Sequence, residues 1–172
     1  MALRLIGAAL LSGVAFILWA VTSPANTIEP LISKDERVVV TRVLDGDTVV
    51  VTGGTKVRYI GIDTPEFRGN AENSECFAFE AKTRNEQLVL GKSVRMEKDV
   101  SEMDRYGRLL RYVYIDESSS SINKNTSINE ILVNEGFALA ITFPPDVAQQ
   151  TELKELERNA KDSGRGLWSE CR

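Results

Sequence analysis

A series of short β-type runs, separated by tight turns, is the feature of this 172-residue chain that most constrains its fold. The runs lie at 37–43, 47–52, 55–62, 93–98 and 108–115. Together they are rich in Val, Ile and Tyr, which favour strands, and Gly53-Gly54 between the second and third is typical of a hairpin turn. Strands this short become stable only when they close into a barrel or pack against helices.

Three other segments predict helices. Residues 75–90 lack Gly and Pro and precede Gly91, a natural helix end. Residues 127–130 (SINE) have the form of a capping box, and apolar residues three and four apart within 153–160 indicate a final amphipathic helix. The pattern therefore predicts an α+β, mainly β protein: an OB-fold five-stranded β-barrel with three helices packed outside.

The N-terminus has the composition of a targeting segment. Residues 5–21 carry no charge, Arg4 precedes them, and small residues follow at 23–25. These features favour a signal peptide cleaved after Ala25, and a retained membrane anchor is the alternative. The expected organisation is therefore a signal peptide or N-terminal membrane anchor at 1–25, a tether at 26–36 and a domain at 37–172 that lies outside the cytosol.

The two cysteines, Cys76 and Cys171, would then lie in an oxidising compartment. An even number of cysteines there favours one disulfide, which would tie the end of the chain to the start of its first helix. Two unpaired buried thiols are the alternative.

The chain contains no histidine, which excludes several mechanisms. Ser-His-Asp and Cys-His nucleophiles, an imidazole base and His-ligated zinc are all absent. The formal net charge of −4 also argues against binding of nucleic acid by net charge alone. Any chemistry must therefore use carboxylates, arginines, hydroxyls or a hard metal ion.

Two acidic segments could supply a metal site. The first, DGDT at 45–48, would by itself be typical of a turn with a left-handed glycine. The second, DTPE at 63–66, ends a predicted strand, and its proline holds Thr64 extended. Asp47, Asp63 and the Thr64 carbonyl could converge on one cation, and such oxygen ligands select Ca²⁺ or Mg²⁺.

Two arginines accompany these carboxylates. Arg58 precedes Asp63 by five residues, so simple strand alternation places them on opposite faces unless barrel twist or a bulge intervenes. Arg108 opens a strand after a glycine turn. Two guanidinium groups beside a carboxylate-bound metal suit phosphoryl chemistry. Ordinary surface ion pairing is the alternative for each arginine taken alone.

The chain resembles the thermonuclease (staphylococcal nuclease-like) family from about Arg37 to Glu170. The resemblance rests on VLDGDTVVV, VRYIGIDTPE, DRYGRLLRYVY, INEILVNEGFALA and GRGLWSE, in this order. It implies an OB-fold and the following roles: Asp47 and Asp63 as calcium-binding carboxylates, Thr64 as a carbonyl ligand, Glu66 as general base, Arg58 and Arg108 as the groups that grip the scissile phosphate, and Asp45 as a residue near the metal.

The resemblance further implies a monomeric, Ca²⁺-dependent endonuclease. Its expected substrates are DNA and RNA, single-stranded or frayed, cleaved by in-line attack of water to leave 3′-phosphate ends. Its expected location is extracellular or in the cell envelope, with membrane contact only if residues 5–21 are retained. A non-catalytic OB-fold module that binds nucleic acid or peptide, and an anchored envelope protein, are the alternatives.

Two departures from the family concern substrate binding. Phe143 is the only aromatic residue within 140–145, where better-known members carry nucleotide-contacting tyrosines. A polar insert at 116–126 is longer than the family leads us to expect.

Overall fold

The computed structural model describes residues 37–70, 72–116 and 125–171. The expected signal peptide or anchor, the tether and most of the 116–126 insert lie outside these residues. Among the residues that are described, no helix is both long and apolar enough to cross a membrane. The elements, in chain order, are β1 (Arg37–Asp45), β2 (Thr48–Val51), β3 (Lys56–Tyr59), β4 (Ile62–Asp63), α1 (Ala78–Val89), β5 (Ser93–Glu97), β6 (Leu109–Ile115), α2 (Ile128–Asn134), β7 (Leu139–Ala140), α3 (Gln150–Asp162) and α4 (Leu167–Glu170).

Five strands form a closed barrel in the order β1-β2-β3-β6-β5, and β5 pairs with β1 to complete it. The β3–β6 pair is parallel and the other pairs are antiparallel. A valine from each strand lies in the core: Val40, Val49, Val57, Val94 and Val113. Full burial of such a side chain contributes about 1.5–3 kcal/mol. The predicted five-stranded barrel with external helices is confirmed.

The helices form where local sequence signals predict them. At the start of α2, Ser127 Oγ accepts a hydrogen bond from the Glu130 N–H (3.1 Å), and the Glu130 carboxylate accepts one from the Ser127 N–H (3.4 Å). This is the capping box. The three predicted helices correspond to α1, α2 and α3, and α4 is a further helix of four residues.

The run at 55–62 is two strands rather than one. β3 ends at Tyr59, the chain turns at Ile60 and Gly61, and β4 leaves the barrel to pair with β7. Gly61 has φ 76°, a backbone conformation that favours glycine. This turn changes the direction of the chain between Arg58 and Asp63, and it therefore determines how the candidate site is built.

Cys76 and Cys171 form a disulfide with an Sγ–Sγ distance of 2.00 Å. Cys76 lies just before α1, and Cys171 directly follows α4. The expected pairing is confirmed, and it joins the end of the chain to the segment that leads from β4 into α1.

Candidate active site

Asp47 is the buried centre of the candidate site, with only 8% of its side chain exposed. Its Oδ1 accepts a hydrogen bond from Thr48 Oγ1 at 2.9 Å. Its Oδ2 accepts bonds from the Thr64 N–H at 2.9 Å and from Thr64 Oγ1 at 3.0 Å. Asp47 therefore fixes the segment after β4 against the β1–β2 turn, and brings Thr64 beside the first acidic segment.

Gly46 permits this close approach. A Cβ atom at position 46 would lie 2.7 Å from Thr64 Oγ1 and 2.8 Å from Thr64 Cβ, too close for any side chain. Its φ lies outside the left-handed range, unlike those of Gly53 and Gly54. The interpretation of DGDT as a turn with a left-handed glycine is therefore wrong, and the glycine is required by packing against Thr64.

Arg58 bridges the two carboxylates that the sequence singled out. Its Nη2 lies 2.6 Å from Asp63 Oδ1, and its Nη1 forms an ion pair with Asp47. Strand alternation had placed Arg58 and Asp63 on opposite faces, and that placement is wrong because the turn at Gly61 separates β3 from β4. The reversal after Tyr59 brings both carboxylates to one guanidinium group.

The donor chemistry of this cluster fits a hard divalent cation. The carboxylates of Asp47 and Asp63 already converge on one positive charge, that of Arg58. Within the described part of the chain, no group of three or more Asp, Glu or Cys side chains is arranged to hold a metal ion. Asp47 and Asp63 supply two carboxylates, and oxygen ligands of this kind suit Ca²⁺.

Asp47 and Asp63 differ in their access to solvent. The Asp63 side chain is 49% exposed, whereas that of Asp47 is 8% exposed. Asp47 holds the fold of the site through its hydrogen bonds, and Asp63 presents its carboxylate toward solvent at the strand end. A cation that approached from solvent would meet Asp63 first.

Arg108 enters the site from the turn before β6. Its Nε lies 2.6 Å from Asp104 Oδ2, and its backbone N–H donates to Asp104 Oδ1 at 3.0 Å. Burial acts to raise the pKa of Asp104, but the hydrogen bonds from Arg108 and from the Tyr106 N–H, together with the charge of Arg108, outweigh it and hold that pKa below its usual range. Gly107, with φ 75°, permits this tight turn. Asp104 is therefore charged, and it holds one edge of the Arg108 guanidinium by an ion pair.

The two arginines are close enough to repel each other. Burial lowers the pKa of Arg58 below its ordinary value; the charge of Asp63 opposes that shift and the charge of Arg108 adds to it. Two guanidinium groups held near each other at a solvent-facing edge attract an anion with several oxygens, because each can donate a fork of hydrogen bonds. A phosphodiester is an anion of this kind.

Two further carboxylates, those of Glu66 and Asp45, act on this cluster through their charge. The Glu66 side chain is exposed, yet its charge acts on both Arg58 and Asp45. Burial raises the pKa of Asp45 above its usual range, and the negative charge of Glu66 adds to that shift. The structure therefore brings the six residues singled out by the sequence, with Asp45, into one neighbourhood.

Beside the arginines lies a cleft of about 430 Å³. Its lining includes both guanidinium groups together with apolar and aromatic surface: Arg58, Arg108, Met103, Tyr106 and Phe143. The Phe143 side chain is 66% exposed, and Tyr106 has a similar exposure. Exposed aromatic faces next to paired cations can stack on the bases of a nucleic acid whose phosphate the cations hold.

Two buried asparagines hold the site in position, and neither was predicted from the sequence. Asn85 accepts a hydrogen bond from the Tyr59 hydroxyl at 3.0 Å and donates to the Asp45 carbonyl at 3.1 Å. Asn129 donates to the Ile60 carbonyl at 2.8 Å. Each therefore fixes one of the two turns that carry the carboxylates. Asn85 lies four residues after Ala81, on the apolar face of α1. A polar residue at that spacing is the one feature of the sequence that could have indicated its role.

Comparison with known proteins identifies related chains. A family model described as staphylococcal nuclease homologue matches residues 56–170, a range that includes Arg58, Asp63 and Arg108. The chain is 35% identical over 133 residues to an SPbeta prophage-derived endonuclease of Bacillus subtilis, covering 74% of this chain and 42% of that protein. It is 32% identical over 133 residues to a thermonuclease of Staphylococcus hyicus, covering 76% of this chain and 74% of that protein. It is 35% identical over 143 residues to a micrococcal nuclease of Shigella flexneri, covering 79% of this chain and 75% of that protein.

Proposed function

Since the chain belongs to the staphylococcal nuclease family, we propose that it is a Ca²⁺-dependent nuclease that hydrolyses the phosphodiester bonds of DNA and RNA. One observation carries this proposal. Arg58 and Arg108 converge at a single cleft, next to the carboxylates of Asp47 and Asp63. This is the combination of charges that phosphoryl chemistry requires, because extra negative charge develops on the phosphate oxygens in the transition state.

Asp47, Asp63 and the Thr64 carbonyl would hold the calcium ion. When bound, Ca²⁺ supplies positive charge that polarises a phosphate oxygen and offsets part of the charge of the transition state. Arg58 forms ion pairs with both carboxylates. The same carboxylates therefore keep its guanidinium oriented toward the cleft.

The remaining groups act on the substrate and on water. Arg58 and Arg108 donate hydrogen bonds to the non-bridging phosphate oxygens and hold the phosphorus in place. Glu66 accepts a proton from the attacking water as the new P–O bond forms. The bond from phosphorus to the 5′-oxygen breaks in line, that oxygen takes up a proton, and the phosphate stays on the 3′ side.

Single-stranded or frayed nucleic acid is the proposed substrate form. Phe143 and Tyr106 offer exposed rings beside the arginines, and unpaired bases can stack on such rings whatever their sequence. We further propose that the domain at 37–172 acts as a monomer outside the cytosol. Its disulfide is compatible with an oxidising compartment, and the apolar segment at 5–21 would direct it there, with or without cleavage.

A cleavage assay tests the proposal. Single-stranded DNA and RNA are incubated with the folded protein in Ca²⁺ or in excess chelator, with the Asp47→Ala variant as a control. We expect Ca²⁺-dependent cleavage that leaves 3′-phosphate ends, and none with chelator or with the variant. Tight binding of nucleic acid without cleavage would instead identify a non-catalytic OB-fold module.

A further inference from the structure

We propose that Glu75, held by the Cys76–Cys171 disulfide, is a positioning residue that fixes Glu66 beside the reacting phosphate. The inference rests on the proposed function, because it assigns a task to the residue that would take the proton from water. Glu75 itself lies outside the cleft lined by the two arginines. Glu66 does not line that cleft either, and Glu75 borders a smaller cleft at Asp63 and Thr64. The two hydrogen bonds between Glu75 and the Glu66 backbone are the observation that assigns its effect to Glu66.

Glu66 and Glu75 close the loop between β4 and α1. The Glu75 N–H donates to the Glu66 carbonyl at 3.1 Å, and the Glu75 carboxylate accepts from the Glu66 N–H at 3.1 Å. Both polar groups of the Glu66 backbone are thus bound by one residue. Because Glu66 is exposed, packing contributes little to its position, and its backbone is oriented by these two hydrogen bonds together with the bond from the adjacent Phe67 N–H to Asp45 Oδ2 (3.4 Å).

The disulfide anchors Glu75 to the end of the chain. Cys76 follows Glu75 directly, and its partner Cys171 directly follows the short helix α4. The disulfide also borders Thr64 and Pro65 across a small cleft, so it lies against the segment that carries the candidate calcium ligands. A shift of Cys76 would move both ends of the segment from Asp63 to Glu75.

The other end of this anchor is fixed on α2. The Leu167 N–H donates to the Gly136 carbonyl at 2.9 Å. Gly136 and Gly166 pack so closely that a Cβ atom on Gly136 would lie 2.2 Å from the Arg165 carbonyl oxygen. The Arg165 guanidinium donates to the Asn134 carbonyl at 2.6 Å. Cys171 is therefore held on the core helix, and the disulfide carries that constraint to Glu75.

The rest of the loop is held by its own surface contacts. Ser74 Oγ accepts from the Arg68 N–H at 2.8 Å and donates to the Asn70 carbonyl at 2.6 Å. All three residues lie at or near the protein surface. These bonds shape the outer part of the loop without tying it to the barrel. Near Glu66 the loop is attached through the Phe67 N–H, which donates to Asp45 Oδ2 at 3.4 Å, and through Glu75 with its neighbouring disulfide.

Four variants test this role. Glu75→Ala removes the acceptor, Glu75→Gln keeps an oxygen that can accept from the Glu66 N–H, and Cys76→Ser/Cys171→Ser removes the anchor. Glu72→Ala is the matched control, since it removes an exposed carboxylate from the same loop. For each variant we would measure kcat and KM at saturating Ca²⁺, the hydrogen exchange of the Glu66 amide, and the circular dichroism spectrum.

We expect Glu75→Ala to lower kcat about 10-fold to 100-fold with KM within about twofold, because a small misplacement of a catalytic group is costly. Glu66 amide exchange should accelerate while core amides stay protected. Glu75→Gln should recover most of kcat, Glu72→Ala should match wild type, and the double cysteine variant, where folded, should resemble Glu75→Ala.

Three results would overturn the inference, the third together with the proposed function. An active wild-type enzyme whose kcat is unchanged by Glu75→Ala would show that Glu66 needs no such support. An equal loss in Glu75→Ala and Glu75→Gln would show that the charge of Glu75, rather than its hydrogen bond to the Glu66 amide, is what matters. A folded wild-type protein that cleaves no nucleic acid would overturn the proposed function itself, and this inference with it.

Discussion

The candidate site has a buried half and an exposed half, and the two are held in different ways. In the buried half, Asp47 and Thr64 form a closed network with Arg58 at the ends of barrel strands. In the exposed half, Arg108 is held by one carboxylate and Phe143 projects into solvent. The difference shows that the charged groups of one site have different roles. Asp47 and Arg58 stabilise the fold, and Arg58 also lines the cleft, whereas the more accessible Arg108 and Phe143 contribute mainly to contact with substrate.

The largest expected effect is a difference in stability loss between substitutions of Asp47 and Asp63, two aspartates with the same charge. Asp47→Ala should lower the free energy of unfolding by about 3 kcal/mol, because it leaves the buried Arg58 charge poorly compensated. Asp63→Ala should cost about 1 kcal/mol or less, because that ion pair is half-exposed. Both should lower cleavage by about a hundredfold or more, since each removes a proposed calcium ligand. Urea unfolding and the cleavage assay measure the two effects.

Equal stability losses in the two variants would contradict the division into halves. Glu72→Ala again serves as the control, because it removes a carboxylate that is exposed and outside the site. It should leave both the unfolding free energy and the cleavage rate unchanged.

The local parts of this structure could be predicted from the sequence. The strand runs, the Gly53-Gly54 hairpin and the capping box at Ser127 and Glu130 depend on residues close together in the chain. The disulfide followed from an even cysteine count together with the apolar N-terminus. Local stereochemistry was sufficient to predict the strands, the hairpin and the capping box, and the oxidising compartment was sufficient to predict the disulfide.

The meeting of Arg58 with Asp63 could not be predicted in this way. It depends on the turn at Gly61 and on the pairing of β4 with β7, a strand far along the chain. The role of Gly46 likewise depends on where Thr64 packs. In the sequence, Asn129 belongs to a predicted helix start. Only the folded barrel shows that its side chain donates a hydrogen bond to the Ile60 carbonyl. Long-range packing determines all of these contacts.

The next effect concerns the exposed half alone. Arg108→Ala should lower kcat about 100-fold to 1000-fold, because its hydrogen bonds to phosphate strengthen in the transition state. The binding of a non-hydrolysable nucleotide should weaken far less. The free energy of unfolding should fall by about 1 kcal/mol, because the partly buried Asp104 loses its ion pair but keeps its two backbone hydrogen bonds. Kinetics, nucleotide titration and urea unfolding measure these three quantities.

Arg108→Lys sharpens this prediction. A lysine keeps the charge but loses the planar fork that binds two oxygens, so it should restore little of kcat. Parallel losses in kcat and in nucleotide affinity in the alanine variant would show instead that Arg108 only binds substrate.

Calcium should stabilise the buried half by binding to the folded state. At a free concentration a hundred times its Kd, Ca²⁺ should raise the free energy of unfolding by about 2.7 kcal/mol. Asp63→Ala should remove this gain, since that variant lacks a ligand and keeps the buried network of Asp47 and Thr64. Thermal unfolding with and without Ca²⁺ measures it, with Glu72→Ala as the control. Undiminished stabilisation of Asp63→Ala would place the calcium site elsewhere.

The smallest effect tests whether the exposed half binds bases as well as phosphate. Phe143→Ala should weaken the binding of single-stranded DNA about tenfold, within the range of about 1–3 kcal/mol for one stacked base, and Phe143→Trp should keep it. Leu90→Ala, which removes an exposed apolar side chain outside the cleft, should leave the affinity for single-stranded DNA unchanged.

The dependence of DNA affinity on salt concentration then distinguishes the two kinds of contact, because only phosphate contacts release counterions. Arg108→Ala should reduce the slope of log K against log salt by about one, and Phe143→Ala should leave it unchanged. If Phe143→Ala changes that slope, the ring does not act by stacking, and the division between charge and aromatic surface in the cleft fails.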